Sequence, residues 1–108
     1  MELWDQIHPD KFWESIAEGK LHPNQIIDVR EREEWEYYHL EGSKLMPLSS
    51  FEETWGEVSS EEPVYVICAH GVRSQAVCRF LHEKGYGRLT NVIGGMAAVS
   101  WHDGFQYD

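Results

Sequence analysis

The chain has 108 residues, with 9 lysines and arginines against 19 aspartates and glutamates, so its formal net charge is −10. A chain of this length can bury one hydrophobic core, and we predict a single domain over residues 1–108. At 42% hydrophobic residues with five tryptophans, the composition excludes an intrinsically disordered chain. The excess of acid repels phosphate backbones and anionic lipids, so neither nucleic acid nor membrane is an expected partner.

The first half of the chain predicts short helices and strands in alternation. Pro9 and Gly19 bracket a helix over Asp10–Glu18, since proline is tolerated in a first turn and glycine follows a last one. The other elements predicted here are a strand over Gln25–Val29, a helix over Glu31–Tyr38, an extended piece over Lys44–Leu48 and a helical turn over Phe51–Trp55.

The second half contains the clearest strand and the clearest helix. Val64–Ile67 is a continuous β-branched and aromatic run, typical of a strand covered on both faces. Arg73–Lys84 predicts a helix whose buried face is formed by Ala76, Val77, Phe80 and Leu81. The elements predicted after it are a strand over Leu89–Ile93, a turn at Gly94-Gly95 and a helix over Met96–Trp101. Strands alternating with helices predict an α/β fold with a central, mostly parallel sheet flanked by helices.

The loop Cys68–Ser74 joins the clearest strand to the clearest helix and carries the expected chemistry. A thiol at the carboxyl end of such a strand lies where α/β sheets bind their ligands. Gly71 allows the loop amides to turn inward, and a helix N-terminus together with the positive charge of Arg73 favours a thiolate. Because an ordinary cysteine is only about 3% thiolate at pH 7, these features predict that Cys68 is an activated nucleophile.

Two other interpretations of Cys68 stay open on the residues alone. It could be a packed apolar thiol that ends a buried strand. With His70 it could also form a Cys-x-His metal fragment, although the other histidines supply no second ligand pair at zinc-finger spacing, and we predict no metal. Cys78, the other thiol, is expected to be a packed residue at the edge of its helix face and not a redox partner.

The N-terminal residues and the cysteine content predict a cytoplasmic protein. Acidic residues stand where a signal peptide would carry basic ones, and no apolar run reaches the length of a signal or a membrane span. In a reducing compartment two cysteines ten residues apart are reactive or packed thiols and not a disulfide.

Three blocks of sequence resemble the rhodanese family of sulfurtransferases in its short single-domain form, over about residues 8–104. They are residues 27–30 with 34–35 and 39–43, the loop 68–74, and residues 91–96. The resemblance implies a rhodanese fold in which Cys68 takes up sulfane sulfur as a persulfide, without a cofactor. It also implies that Asp28 and Arg30 are supporting residues. The donor is expected to contact the remaining loop residues, Ala69, His70, Gly71, Val72, Arg73 and Ser74.

The sequence departs from the family pattern at the rim of the expected site. Tyr38 stands where a glycine commonly precedes His39, which is itself expected to be a structural hydrogen-bonding residue. Val99 stands where a tryptophan often follows the paired glycines, and Trp101 lies two positions further along.

Loop length separates sulfur transfer from the chemistry of similar loops. Cysteine phosphatases and arsenate reductases resemble this arrangement but have five residues between cysteine and arginine, whereas four lie between Cys68 and Arg73. The shorter loop favours sulfur chemistry over that of phosphorus or arsenic. The expected donor is a small anion such as thiosulfate, and the expected acceptor is cyanide, a thiol or a protein. A rhodanese-fold binding module without catalysis and a protein-to-protein persulfide carrier remain the alternatives.

Overall fold

The computed structural model describes residues 3–104, which form a five-stranded sheet flanked by helices. The strands are β1 (Asp5–Ile7), β2 (Ile26–Asp28), β3 (Lys44–Leu45), β4 (Val64–Ile67) and β5 (Leu89–Val92). The α-helices are α1 (Pro9–Ala17), α2 (Arg32–Tyr37), α3 (Phe51–Thr54), α4 (Arg73–Glu83) and α5 (Gly95–Val99). Short 3₁₀ turns cover Pro23–Gln25, Leu48–Ser50, Trp55–Glu57 and Ser100–Asp103. Among these elements there is no helix of the length and apolar character that a membrane span requires.

The sheet has the strand order β1-β5-β4-β2-β3, and every neighbouring pair is parallel. This confirms the predicted α/β fold, with the difference that the sheet is wholly and not only mostly parallel. β4 lies at the centre, bonded to β2 on one side and β5 on the other. Because parallel strands share one carboxyl edge, the loop after β4 opens where the loops after β2 and β5 also open.

Successive residues of the central strands enter two separate hydrophobic clusters, one on each face of the sheet. Ile27 and Val66 join the cluster beneath α4, whereas their neighbours Ile26 and Ile67 join the cluster beneath α1 and α5. This alternation follows from the two-residue period of a strand, and it explains why these strands read as continuous apolar runs. The residues that α1 and α5 contribute to the second cluster are Phe12, Met96 and Val99.

Sequence reasoning missed β1 and overextended β3. Asp5–Ile7 has no strand pattern of its own, and it is held in the sheet by its pairing with β5. The extended piece predicted over Lys44–Leu48 is reduced to Lys44–Leu45, because Pro47 has no N–H to continue a ladder.

Helix α4 is rotated from the orientation that we predicted. Ala76, expected on the buried face, is exposed, and Cys78, expected at the edge of that face, is fully buried. The residues of α4 that face the sheet still follow a helical spacing, but they form a different stripe from the predicted one. They are Ser74, Val77, Cys78 and Leu81. Burial, with a smaller contribution from nearby Cys68, raises the pKa of the Cys78 thiol to about 12.

We predict that Cys78→Ala keeps sulfur transfer near the wild-type rate and lowers the free energy of unfolding by about 1 to 2 kcal/mol, through lost packing. A thiol with so high a pKa is almost never a thiolate at neutral pH and cannot serve as a resolving nucleophile. Turnover assays and urea unfolding measure the two effects. A variant that reacts once but fails to cycle, or a Cys68–Cys78 disulfide formed by peroxide in the folded protein, would contradict this account.

Candidate active site

Cys68 directly follows β4, and its side chain lies inside the loop that leads to α4. The residue is 1% exposed. The Gly71 N–H donates a hydrogen bond of 3.1 Å to the Cys68 Sγ atom, and the Ser74 Oγ atom lies 3.2 Å from the same sulfur. Gly71 has a φ of +90°, a conformation that favours glycine. The structure thus brings together three of the residues that the sequence placed at the site.

The loop is fixed from behind by the start of α5. The backbone N–H groups of Met96 and Ala97 donate to the carbonyl oxygens of Cys68 and Ala69, over 2.8 and 2.9 Å. Gly95 makes this approach possible, because a Cβ atom there would lie 2.7 Å from the carbonyl carbon and oxygen of Ala69. The two carbonyls therefore point towards α5, and the N–H of Gly71 is left to face the sulfur.

Sequence reasoning treated Gly94-Gly95 only as a turn and missed this contact. Both glycines have positive φ, at 75° and 58°. The pair of adjacent glycines is the signal that could have indicated a close backbone approach.

The sequence predicts that Arg73 offers its positive charge to Cys68, but in the structure Arg73 is paired with Glu34. Its two terminal nitrogens donate to the two carboxylate oxygens of Glu34, over 2.8 and 2.9 Å. The Arg73 guanidinium is the main cause that lowers the pKa of Glu34 to about 2. The charge is thus compensated by a residue of α2 that sequence reasoning did not place at the site. Glu34 also caps the start of α2, by accepting from the Glu31 N–H over 3.0 Å.

Asp28 and Arg30 form a buried ion pair beneath the same helix. Arg30 donates from Nε to Asp28 Oδ1 over 2.9 Å and from Nη2 to Asp28 Oδ2 over 2.7 Å, and both residues are 0% exposed. The guanidinium also donates to the backbone carbonyls of Glu34 and Tyr38, over 3.3 and 2.7 Å. These bonds hold α2 in place, and α2 carries the carboxylate that binds Arg73. Support of the loop through α2 is the role we propose for the pair.

The two histidines that the sequence singled out are not buried with the Cys68 sulfur. His70 is exposed on the loop. His39 stacks on Trp35 with ring centroids 3.6 Å apart, and its Nδ1 atom lies 2.7 Å from the Trp35 carbonyl oxygen. These contacts are those of a structural residue. Over residues 3–104 we find no group of three or more histidine, cysteine, aspartate or glutamate side chains that could hold a metal ion.

The two departures from the family pattern change the surface near the site. Tyr38 donates from its hydroxyl to Asp103 Oδ2 over 2.6 Å, and burial and this carboxylate raise the pKa of the tyrosine. Val99 is part of the buried core, whereas Trp101 is 70% exposed. In the loop itself Val72 is 76% exposed.

Comparison with known proteins agrees with this geometry. Residues 8–101 match the family described as Rhodanese-like domain. The chain belongs to the rhodanese-like family. This confirms the family that the three sequence blocks indicated, and with it the class of rhodanese-type transferases.

Individual rhodanese-like relatives match most of the chain. It is 36% identical over 95 residues to the thiosulfate sulfurtransferase GlpE of Actinobacillus pleuropneumoniae serotype 3, covering 87% of this chain and 84% of that protein. It is 37% identical over 71 residues to the putative sulfur carrier protein YrkF of Bacillus subtilis, covering 66% of this chain and 38% of the relative. A crystal structure of a rhodanese-like domain protein from Staphylococcus aureus superimposes with a TM-score of 0.79 at 33% identity, covering 88% of this chain and 90% of that one.

We predict that Glu34→Gln lowers the free energy of unfolding at neutral pH by about 1 kcal/mol, because solvent screens a pair that is partly exposed. A depressed carboxylate pKa stabilises the fold above the ordinary value of 4.5, and this contribution is lost as the pH falls towards about 2. Urea unfolding at neutral pH and near pH 3 measures the difference between the two proteins, which should shrink in acid. Glu33→Gln, on an exposed neighbour in the same helix, is the matched control. A wild-type advantage that is equal at both pH values would contradict the assignment.

Proposed function

We propose that this rhodanese-like protein is a sulfurtransferase that carries sulfane sulfur on Cys68 as a persulfide. The observation that carries the proposal is the hydrogen bond from the Gly71 N–H to the Cys68 Sγ atom, in a loop that places the thiol at the carboxyl edge of a parallel sheet. A relative named thiosulfate sulfurtransferase supports the same chemistry, and the match covers 84% of that relative's length.

The proposed reaction is a double displacement. The Cys68 thiolate attacks the sulfane sulfur of thiosulfate or a similar donor, a new S–S bond forms, and sulfite leaves with the electron pair of the broken bond. A nucleophilic acceptor, which could be cyanide, a thiol or a protein, then attacks the outer sulfur, and Cys68 leaves as a thiolate. The reaction needs no external oxidant or reductant, because the sulfane sulfur is transferred as such.

The loop backbone supplies the electrostatic stabilisation that this reaction needs. A persulfide adds a sulfur about 2.05 Å from Sγ, which a short ring of N–H groups can surround. These groups are set in place before the reaction by the bonds from α5 to Cys68 and Ala69, and preorganised donors of this kind stabilise developing charge without a general base. Because Glu34 compensates Arg73, attraction of an anionic donor depends more on the amides than we expected from the sequence.

Exposed apolar side chains near the loop indicate which class of acceptor the site favours. Val72 and Ile93 are 76% and 44% exposed, and a Cβ atom on Gly71 would lie 3.1 Å from the backbone nitrogen of Gly94, next to Ile93. These two exposed apolar side chains favour an organic thiol or a protein thiol over a small hydrophilic ion as the acceptor. The relative named a putative sulfur carrier protein supports a carrier role for the same persulfide. Two free thiols fit a reducing compartment, which we propose to be the cytoplasm.

Two alternatives from the sequence are disfavoured. A binding module without catalysis has no need for a buried thiol that accepts a backbone hydrogen bond, as Cys68 does. A phosphatase or arsenate reductase needs a wider ring for a tetrahedral oxyanion, and only four residues separate Cys68 from Arg73. Sulfur transfer is the function that fits both observations.

Intact mass before and after incubation with thiosulfate tests this function directly. Wild type and Cys78→Ala should each gain one sulfur atom, and Cys68→Ser should gain none, because the serine hydroxyl is not ionised at neutral pH. Formation of thiocyanate from thiosulfate and cyanide should follow the same pattern. If Cys68→Ser still gained sulfur or still formed thiocyanate, Cys68 would not be the carrier.

Because Arg73 and Glu34 are paired, substitutions of the two residues should have opposite effects on the KM for an anionic donor. Arg73→Ala should raise the KM for thiosulfate, and Glu34→Gln should lower it several-fold, because it exposes the guanidinium charge. A neutral organic polysulfide should show a much smaller difference between the two variants. If both variants lost activity equally with both donors, the pair would act only through the structure of the loop.

A further inference from the structure

A chain of side-chain hydrogen bonds runs from the site to the edge of the sheet. Ser74, which is fully buried beside Cys68, donates from Oγ to the Oδ1 atom of Asn91. Asn91 in turn donates from Nδ2 to the Oε1 atom of Gln6 over 2.8 Å. Asn91 on β5 and Gln6 on β1 are register partners in the sheet. Gln6 also pairs with Gln75 of α4, and we call Gln6, Gln75 and Asn91 the amide relay.

The direction of every bond in the amide relay is set by Trp4. The indole Nε1–H of Trp4 donates to Gln75 Oε1 over 2.7 Å, and an indole can only donate. Gln75 Oε1 also accepts from Gln6 Nε2 over 3.2 Å, while Gln75 Nε2 donates to Gln6 Oε1 over 3.3 Å. Turning one of these amides around would place two N–H groups or two oxygens against each other.

The same direction determines what Ser74 offers to Cys68. Because Gln6 presents its oxygen to Asn91, Asn91 presents its own oxygen to Ser74 and receives the hydroxyl proton. A serine hydroxyl has a single proton, so the Ser74 Oγ atom, 3.2 Å from the Cys68 Sγ atom, faces the sulfur with a lone pair. A lone pair accepts from a protonated thiol and repels a thiolate.

We infer that the amide relay restrains the resting Cys68 as a thiol by holding Ser74 as an acceptor, with Asn91 as the positioning residue and Trp4 as its anchor. The inference rests on the proposed role of Cys68. For Ser74 to stabilise the thiolate, its O–H must rotate from Asn91 to the sulfur, which leaves the Asn91 Oδ1 atom without its donor. Since the Gly71 N–H can donate to either form, the amide relay shifts the balance between them.

Ionisable groups near Cys68 do not account for this effect, because they are the same in every protein that the test compares. The ionisable groups described at the site are the Arg73–Glu34 pair, the Asp28–Arg30 pair, Cys78 of α4 and His70 in the loop. Strand β5 and helix α5 contribute no ionisable side chain.

The test is the pH dependence of Cys68 alkylation by iodoacetamide, measured in the full chain with Cys78→Ala in every variant. Asn91→Ala should lower the pH of half-maximal rate by about one unit, a tenfold gain in thiolate, because Ser74 is then free to donate to the sulfur. Trp4→Phe should lower it by a smaller amount, since it removes the N–H and keeps a ring at that position. Trp101→Phe, on an exposed ring, is the matched control and should change nothing.

A double-substitution cycle separates the amide relay from a general disturbance of the loop. In a Ser74→Ala background, Asn91→Ala should cause no further shift, because the hydroxyl that it redirects is gone. An unchanged or raised midpoint in both Asn91→Ala and Trp4→Phe, or a shift that persists without Ser74, would overturn the inference. If Asn91→Ala does not fold, the alkylation midpoint of Trp4→Phe alone tests the inference. Sulfur uptake by mass is read in the same samples, so failure of the relay and failure of the proposed function give different results.

Discussion

The carbonyl oxygens of Cys68 and Ala69 are bound by the backbone of α5, and the rest of the site depends on this contact. A loop that follows a strand would otherwise be free to turn its oxygens towards the thiol, where they would repel a thiolate. The bonds from Met96 and Ala97 remove that possibility, and they require a glycine at position 95. The chemistry of the loop is therefore built by a segment more than twenty residues away in the chain.

Around this backbone frame the charges are arranged in pairs. The buried pair of Asp28 and Arg30 holds α2, and α2 carries Glu34, which binds Arg73 at the start of α4. An unpaired charge at the buried Arg30 would be costly, and both Arg30 and the partly exposed Arg73 have a carboxylate partner. The backbone donor that the structure places on the Cys68 sulfur is the neutral Gly71 N–H. This arrangement suits a persulfide, which has one terminal sulfur to stabilise, better than it suits a multiply charged oxyanion.

The elements that local sequence patterns determine were predicted well. The central strand and the start of α4 were predicted to the residue, because an uninterrupted apolar run and a glycine-punctuated amphipathic segment are strong local signals. The prediction that Cys68 is the reactive residue rests on its place between those two elements. The short edge strand β1 was not predicted, since Asp5–Ile7 is ordered by pairing with β5 and not by its own residues.

The parts of the site that depend on distant residues escaped sequence reasoning. Glu34 lies 39 positions before the arginine that it neutralises, and nothing local to either residue indicates the contact. The rotation of α4, which buries Cys78 and exposes Ala76, depends on how the whole helix meets the sheet. The buried bond from Ser74 to Asn91 likewise joins two polar residues that, in the sequence, lie in unrelated elements.

The most direct test of the central claim is a crystal structure of the protein after incubation with thiosulfate. The account predicts extra density for one sulfur atom about 2.05 Å from the Cys68 Sγ atom, surrounded by N–H groups of the loop, with α5 still bound to the carbonyls of Cys68 and Ala69. Density for sulfur on Cys78, or an unmodified Cys68 in a protein that has turned over donor, would contradict it.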